Sequence, residues 1–256
     1  MALKAANIQY GVRACTLAML VILQACSLTA CSGQNNNVAQ TPFPQKSPAS
    51  SISNDFSKVI PDKKFAACLV SVLNASNKGF PSVKASKIKN LSFTEYTTKY
   101  QNCSTNNLQK ITSVEGLQHF TGLISLDLSE FKSLKELPQI ESMTSLTQIN
   151  LQGTKISDIS ALAHLSTLQN IALSDKSCNL TPLSRLSPIT ISAQCPTVDL
   201  SPLDGKKIQI YVSESISESK ARKSAMTGNT VAIMKAAGKF TIFQPNQSGN
   251  ITESEM

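Results

Sequence analysis

Apolar residues recur along the middle of the chain at a regular spacing, and this constrains the fold more than any other feature. Three consecutive stretches follow the pattern L-x-x-L-x-x-L-x-x-L-x-L, beginning at Leu117, Ile140 and Leu162. One such stretch cannot bury its own apolar face, so at least three must stack to share a core. The pattern therefore predicts a solenoid in which each L-x-L forms a short strand and the x-x-L triplets form helical turns. The pattern positions are Leu117, Phe120, Leu123, Leu126 and Leu128; Ile140, Met143, Leu146, Ile149 and Leu151; and Leu162, Leu165, Leu168, Ile171 and Leu173.

Two shortened units follow the three full ones. Each opens with the same lead-in, Leu180-Thr181-Pro182-Leu183 and then Leu200-Ser201-Pro202-Leu203. Each keeps the strand and loses one x-x-L triplet, so we expect less helix on the outer side of these units. Their apolar positions are Leu183, Leu186, Ile189 and Ile191, and then Leu203, Ile208 and Ile210.

A period in the twenties with this pattern resembles the leucine-rich repeat. The linking segment from Gly153 to Ile159 resembles that of the short bacterial repeats in internalins, with Thr154 at the turn position where many repeats place an Asn. The resemblance implies an α/β solenoid, a leucine-rich-repeat horseshoe over residues 117–212, that binds protein and is not an enzyme. The alternative is an ordinary αβ domain in which five ordered matches in each of three units are accidental.

The first 30 residues have the anatomy of an export signal. Lys4 and Arg13 precede the apolar run Cys15 to Leu23, which is too short for a membrane-spanning helix. Leu28-Thr29-Ala30-Cys31 resembles the bacterial lipobox, which implies cleavage before Cys31, a diacylglyceryl thioether on its sulfur and an acylated (palmitate-type) amino terminus. Two alternatives are a cut before Cys26, which fits worse because of Gln24, and an uncleaved anchor helix.

The residues after Cys31 indicate a lipid-anchored protein on a flexible tether. Ser32 in place of Asp resembles the outer-membrane default of Gram-negative lipoproteins, and two or more acyl chains anchor a protein stably. Residues 31–61 are rich in Asn, Gln, Ser and Pro, a composition that cannot bury enough apolar surface to fold. We therefore expect a protein held at the cell envelope, on either its periplasmic or its surface side.

Both ends of a solenoid need a polar cap. Residues 62–75 place apolar side chains at 65, 69, 72 and 73, the spacing of one helical face, with Asp62 as N-cap and Lys78-Gly79 as a stop. We predict a helical N-terminal cap over residues 62–116. Residues 213–256 form a C-terminal cap or tail, in which we expect a short helix from Thr230 to Ala237, a strand from Lys239 to Phe243 and a frayed end.

The cysteines indicate two disulfides. Of seven, Cys15 and Cys26 leave with the signal and Cys31 carries lipid, so an even set of four remains in an oxidising compartment. Three pairings are possible. The repeat arrangement favours Cys68 with Cys103, which fastens the cap, and Cys178 with Cys195, which lie in the loops of adjacent units.

The sequence contains no recognisable catalytic motif. The two histidines, His119 and His164, occupy the same repeat position two units apart, too far apart to share a metal. Asp158 and Asp199 occupy equivalent slots, where turn capping explains them better than acid–base chemistry. We therefore expect no enzyme activity, no small-molecule substrate and no cofactor or metal, only the covalent lipid on Cys31.

The strands supply the candidate binding surface. In x-L-x-L-x the apolar residues point into the core, so the x residues line the concave side, where solenoids commonly bind partners. Tyr211 is the one aromatic anchor of the hot-spot type among them. The predicted concave residues are Ser125, Asp127, Ser129, Gln148, Asn150, Gln152, Asn170, Ala172, Ser174, Thr190, Ser192, Gln209 and Tyr211.

Two functions are compatible with these features. The first is an exported lipoprotein whose repeat domain binds another protein at the envelope through the concave face. The second is a structural envelope protein that binds peptidoglycan or another anionic polymer through its basic surface, given a net charge of +8. The basic residues are scattered and lack interleaved aromatics, so we expect no nucleic-acid partner.

Overall fold

Strand pairing in this protein follows the order of the chain from the first strand to the last. The computed structural model describes residues 60–76, 85–235 and 238–256. The predicted signal peptide, the lipidated Cys31, nearly all of the tether and the helix stop at Lys78-Gly79 lie outside the described residues. The sheet described below belongs to one compact unit, Ser51–Met234 with Phe240–Met256.

A single nine-stranded sheet forms, with spatial order β1 to β9 identical to the sequence order. Strands β1 to β7 pair in parallel, and β8 and β9 are antiparallel additions. One strand per unit, each added beside the last, is the arrangement of a repeat fold, as the leucine pattern predicts. The strands are β1 Asn90–Leu91, β2 Ser125–Asp127, β3 Gln148–Asn150, β4 Asn170–Ala172, β5 Thr190–Ala193, β6 Gln209–Val212, β7 Thr230–Met234, β8 Phe240–Pro245 and β9 Ile251–Glu255.

The apolar residue of each repeat strand stacks on its equivalent in the next strand. Leu126 pairs with Ile149, Ile149 with Ile171, Ile171 with Ile191 and Ile191 with Ile210. All five side chains are buried within one continuous apolar cluster. Burial of these apolar side chains is the main stabilising contribution to the fold, at about 25 cal/mol per Å² of apolar surface removed from water. A single unit cannot bury its apolar side chains without the neighbouring units.

The x-x-L triplets form 3₁₀ turns rather than α-helix. Leu123 N–H donates to the Phe120 carbonyl at 3.0 Å, and the same bond recurs from Leu146 to Met143 and from Leu168 to Leu165. A leucine every third residue matches the 3.0 residues per turn of a 3₁₀-helix, which lines these side chains up on one side. The 3₁₀ helices of the repeats are Leu117–His119, Ser160–His164, Thr181–Leu183 and Ser201–Leu203.

The predicted helix before the repeats is present as α1, Lys63–Ser76. The Asp62 carboxylate accepts hydrogen bonds from the amides of Lys64 and Phe65 at 2.9 and 3.0 Å, which confirms it as the N-cap. Further short helices follow: Ala85–Lys87, Thr94–Tyr96 and Gln101–Cys103 are 3₁₀, and α2 spans Thr105–Leu108.

A cluster of three phenylalanines joins the segments before the repeats to the first repeat. The ring of Phe93 packs edge-on against Phe131 with centroids 4.8 Å apart, and Phe65 of α1 lies 5.8 Å from Phe131. Strand β1 also precedes the repeats and pairs with β2, so the parallel sheet begins before the first leucine unit.

The expectations for residues 213–256 are wrong in two places. Thr230 to Met234 form strand β7, because a Thr-Val-Ala-Ile run suits a buried strand beside β6 better than a helix. The helix of this region lies earlier, as α3 Glu218–Met226, with Ser217 as N-cap. The expected frayed end contains β9, which pairs with β8 over five residues. The strand expected from Lys239 to Phe243 is present as β8.

Both predicted disulfides are present. Cys68 of α1 is bonded to Cys103, with Cα atoms 4.8 Å apart. Cys178 and Cys195 join the loops after β4 and β5, with Cα atoms 5.2 Å apart. These distances lie within the usual range for disulfides.

Candidate functional site

Residues that flank the buried apolar positions form two rows across the repeat strands, and all of them except Ala172 are polar. Strand residues alternate between faces. The residues just before and just after each buried leucine or isoleucine of a strand therefore lie on the opposite face, here called the polar face. The first row, in cross-strand register, is Ser125, Gln148, Asn170, Thr190 and Gln209. The second is Asp127, Asn150, Ala172, Ser192 and Tyr211. These ten residues were predicted to share one surface, and the register brings them together.

The polar face differs in exposure from end to end. Side chains of β2 and β3 in the two rows are half-buried, whereas Ala172, Thr190 and Ser192 are buried and Gln209 is exposed. The small residues at the centre of the face therefore contribute hydroxyl and methyl groups at the level of the backbone. Longer amide side chains stand on either side of them.

Thr190 is the one unsatisfied polar group among the buried side chains that the structure describes. Its residue is 1% exposed, and its Oγ1 has no hydrogen-bond partner there. A buried hydroxyl without a partner costs about 1–3 kcal/mol, so such groups are rare in folded proteins. The sequence predicts Thr190 on this face but gives no signal that its hydroxyl lacks a partner, because threonine is an ordinary strand residue.

Ser192 is the centre of a side-chain hydrogen-bond network. Its Oγ accepts from the Nε2 of Gln152 at 3.3 Å and from the Nε2 of Gln194 at 3.0 Å. Gln152 follows β3, two strands away, so its side chain crosses the line of β4 to reach Ser192. Gln194 was not among the predicted site residues. It directly follows β5, two residues after Ser192, and this spacing is the sequence signal that could have placed it on the same face.

Three of the predicted concave residues bond to the backbone, two of them within their own repeat and Ser174 to the repeat before it. The carboxylate of Asp127 accepts from the Ser129 amide at 2.9 Å, and the amide oxygen of Asn150 accepts from the Gln152 amide at 3.1 Å. Ser174 donates to the Thr154 carbonyl at 2.6 Å. These side chains shape the turns after the strands and offer less of their polarity to a ligand than the first row does.

The aromatic anchor lies at the C-terminal side of the polar face. The ring of Tyr211 on β6 packs edge-on against Phe240 of β8, with centroids 6.0 Å apart. Phe240 therefore extends the aromatic surface beyond the single residue that the repeats predict.

Acidic and amide side chains cap the outer 3₁₀ turns, as the sequence indicates for Asp158 and Asp199. Asp158 accepts from the Ser160 amide at 2.8 Å, Asn179 from Thr181 at 3.0 Å and Asp199 from Ser201 at 3.0 Å. The Ser160 backbone bond lowers the pKa of Asp158, and the Ser201 hydroxyl and amide lower that of Asp199. These carboxylates stay charged in structural roles.

The described residues contain no cluster of three or more His, Cys, Asp or Glu side chains suited to a metal ion. His119 ends the 3₁₀ helix Leu117–His119 and is half-buried, and His164 is exposed at the end of Ser160–His164. In the same part of the chain, every helix is too short or too polar to cross a bilayer.

The fold of this chain is similar to that of a solved structure, whereas sequence comparisons find no relative. No protein-family model matches the chain, and a search of curated proteins finds no match. The crystal structure of an internalin (inlF) from Listeria monocytogenes is similar to this chain with a TM-score of 0.43 and 17% sequence identity. The similarity covers 71% of this chain and 54% of the internalin, so this chain spans about half of that protein's length.

Proposed function

We propose that this protein is an exported lipoprotein, anchored through Cys31, whose leucine-rich-repeat domain binds another protein at the cell envelope without catalysis. In this proposal α1 and the segment to residue 116 cap the N-terminal end of a horseshoe, and residues 31–61 tether it to the outer membrane. The polar face is the binding surface.

The first cross-strand row of the polar face carries the proposal. It places amide and hydroxyl side chains from five parallel strands in register at a spacing of about 4.8 Å, and those of β2, β3, β4 and β6 are at least partly exposed. A protein segment that supplies backbone or side-chain polar groups at this spacing satisfies them.

Binding is tested by chemical crosslinking in the native organism, followed by affinity measurement with the captured protein. Gln148→Ala with Asn170→Ala removes two neighbouring amides of the first row. We expect at least a tenfold loss of affinity, because each truncation leaves a polar group of the bound protein without its hydrogen bond at the interface. The control is Gln101→Ala with Gln139→Ala, which truncates two exposed glutamines outside the sheet. Equal affinity of both double variants would place the interface elsewhere.

The anchor is tested by metabolic labelling with a palmitate analogue. Cys31→Ser should abolish labelling and release the chain from membranes, whereas Cys26→Ser should leave both unchanged. Label that persists in the Cys31 variant and disappears in the Cys26 variant would move the anchor to the alternative cleavage site.

A further inference from the structure

Strand β9 is the last strand of the sheet and has one unpaired side. It pairs with β8 and ends the strand order, and no other strand of the described residues lies beside it. Residues 252–255 are exposed, and Ile251 is half-buried. We call the side of β9 that faces away from β8 the open edge.

Every second residue of β9 directs its backbone polar groups to the open edge. Phe240 and Met256 exchange two backbone hydrogen bonds, of 2.9 and 3.0 Å, at the end of the β8–β9 pair. Bonded and non-bonded pairs alternate along antiparallel strands, so the even-numbered residues of β9 bond to β8. The N–H and C=O groups that point outward are those of Ile251, Glu253 and Glu255. A row of this kind is a template for another strand.

Helix α3 flanks β9 and packs against β7, β8 and β9. The Arg222 guanidinium forms an ion pair with the Glu253 carboxylate and lies 4.8 Å from the centroid of the Phe243 ring. Glu218 and Met226 lie one turn before and one turn after Arg222. Because residues four apart share one side of a helix, these three side chains lie along the flank of α3 that faces β9.

The chain path orders these side chains along the open edge. Residues 227–229 reverse the chain between α3 and β7, and β9 is parallel to β7 because both are antiparallel to β8. Helix α3 therefore runs antiparallel to β9. This places Glu218 toward the Glu255 end of the open edge and Met226 toward the Ile251 end.

One end of the open edge is acidic. Glu255 is exposed and forms no ion pair with any residue that the structure describes. Glu218 brings a second carboxylate to this end, and Arg222 is already engaged with Glu253. The two lysines of α3 lie elsewhere, in a cavity beside Asp199 at the last repeat. A cationic side chain therefore fits opposite Glu255.

The other end of the open edge is apolar. Met226 is 73% exposed, and the half-buried Ile251 packs against the core. The acidic and apolar ends are four strand residues apart, which is about 13 Å of extended chain. An extended segment that spans both ends therefore needs a cation and an apolar side chain at this spacing.

We infer that the open edge binds an extended basic segment of another protein by strand addition, antiparallel to β9. Its cationic residue lies opposite Glu255, and an apolar residue four positions later lies opposite Ile251. A second copy of this chain fits less well, because two β9 strands paired about their midpoints place one Glu253 directly opposite the other. This surface uses no residue of the polar face, so either binding proposal can fail without the other.

The test measures binding of the labelled peptide Thr-Lys-Thr-Thr-Thr-Leu-Thr to the full chain by fluorescence anisotropy. Glu255→Lys should weaken binding by about fivefold or more, because an attraction becomes a repulsion. The control is Glu141→Lys, which makes the same charge change at an exposed position of the second repeat and should bind as the parent does. Equal weakening by both variants would overturn the site in favour of diffuse attraction, and a peptide that does not bind the parent would also overturn it.

N-methylated peptides test the strand pairing itself. The fourth peptide residue lies opposite Glu253 and donates its N–H to β9, so its N-methylation should abolish binding. The N–H of the fifth residue points away from β9, and its N-methylation should leave binding within about threefold of the parent peptide, as expected for a group without a hydrogen bond to lose. Equal affinities of the two N-methylated peptides would refute strand addition.

Two further measurements check the apolar end and the alternative occupant. Replacing the peptide leucine by serine should weaken binding by about threefold or more, because apolar contact with Ile251 and Met226 is lost. Sedimentation should show a monomeric chain. A dimer that excludes the peptide and dissociates on Glu253→Pro, which removes an outward N–H, would assign the open edge to a second copy and overturn the inference.

Discussion

The side-chain amide of Asn229 donates to the backbone carbonyl of Leu203 at 3.0 Å, inside the protein and 26 residues away along the chain. The same side chain donates to the Ser224 hydroxyl at 3.1 Å and accepts from the Ile208 amide at 3.2 Å. One fully buried asparagine therefore ties the last repeat, the end of α3 and the start of β7 together.

Asn229→Ala should lower the free energy of unfolding by about 2–4 kcal/mol. The substitution leaves the Ile208 N–H and the Leu203 C=O buried without their partner, and each unsatisfied group costs about 1–3 kcal/mol. Urea unfolding followed by circular dichroism measures the change. Asn106→Ala, at an exposed position of α2, is the control and should change stability by less than about 0.5 kcal/mol.

Gly122→Ala should disrupt the contact between the first repeat and the segment before it. An added Cβ at Gly122 would lie 1.8 Å from the Ser86 carbonyl oxygen, so backbone must move. We expect a loss of about 3 kcal/mol or more, at the upper end of overpacking costs. Gly205→Ala, which meets no atom within 4 Å at φ +75°, should cost only the left-handed strain of about 1–2 kcal/mol. Equal melting temperatures for the two variants would contradict this packing.

The two disulfides should each contribute about 3–4 kcal/mol to stability. They close loops of 35 and 17 residues, and the entropy model gives a slightly larger effect for the longer loop. Paired Cys→Ala variants at 68/103 and at 178/195, unfolded in urea, measure each separately. Mass spectrometry of unreduced peptides checks the pairing, and a free thiol at Cys68 or Cys178 in the native protein would count against it.

Thr190→Val should raise stability by about 1 kcal/mol, because it replaces a buried hydroxyl that has no partner with a methyl group of similar shape. Thr154→Val is the matched control with the opposite expectation. The Thr154 hydroxyl, equally buried, donates to the Leu151 carbonyl at 2.7 Å, so its loss should destabilise by about 1–2 kcal/mol. Thermal melts of both variants decide whether the Thr190 hydroxyl is unsatisfied.

Stability should fall in acid partly through Asp158 and Asp199. Their pKa values are lower in the folded state than the ordinary 3.9 or so of an unfolded chain. Each carboxylate therefore stabilises the fold above about pH 4, and this contribution is lost as pH falls through the folded-state pKa.

Asp158→Asn with Asp199→Asn tests this pH dependence, because asparagine keeps the capping oxygen and cannot titrate. The melting temperature of the parent should drop more steeply than that of the double variant between pH 5 and pH 2. Parallel curves would show that neither cap contributes to the acid transition.

The leucine pattern by itself determined the repeat core, the order of the five repeat strands and the residues of the polar face. Local rules suffice there, because strand alternation assigns the face of every residue and equivalent leucines must stack to be buried. Local rules also suffice for Asp62, because an N-cap side chain bonds to the first amides of the helix that directly follows it. The two disulfide pairings also followed, since stacked units place particular loops side by side.

Tertiary structure alone decided the rest, because non-local pairing created it. Strand β1 is two residues long and has no pattern of its own; it exists because β2 offers an edge, with Ile124 N–H donating to the Lys89 carbonyl at 2.7 Å. Strands β7 and β9 form on the edges of their neighbours in the same way, against the sequence-based expectation of a helix and a frayed end. The burial of Thr190 depends likewise on residues far apart in the chain, whose separations no local pattern records.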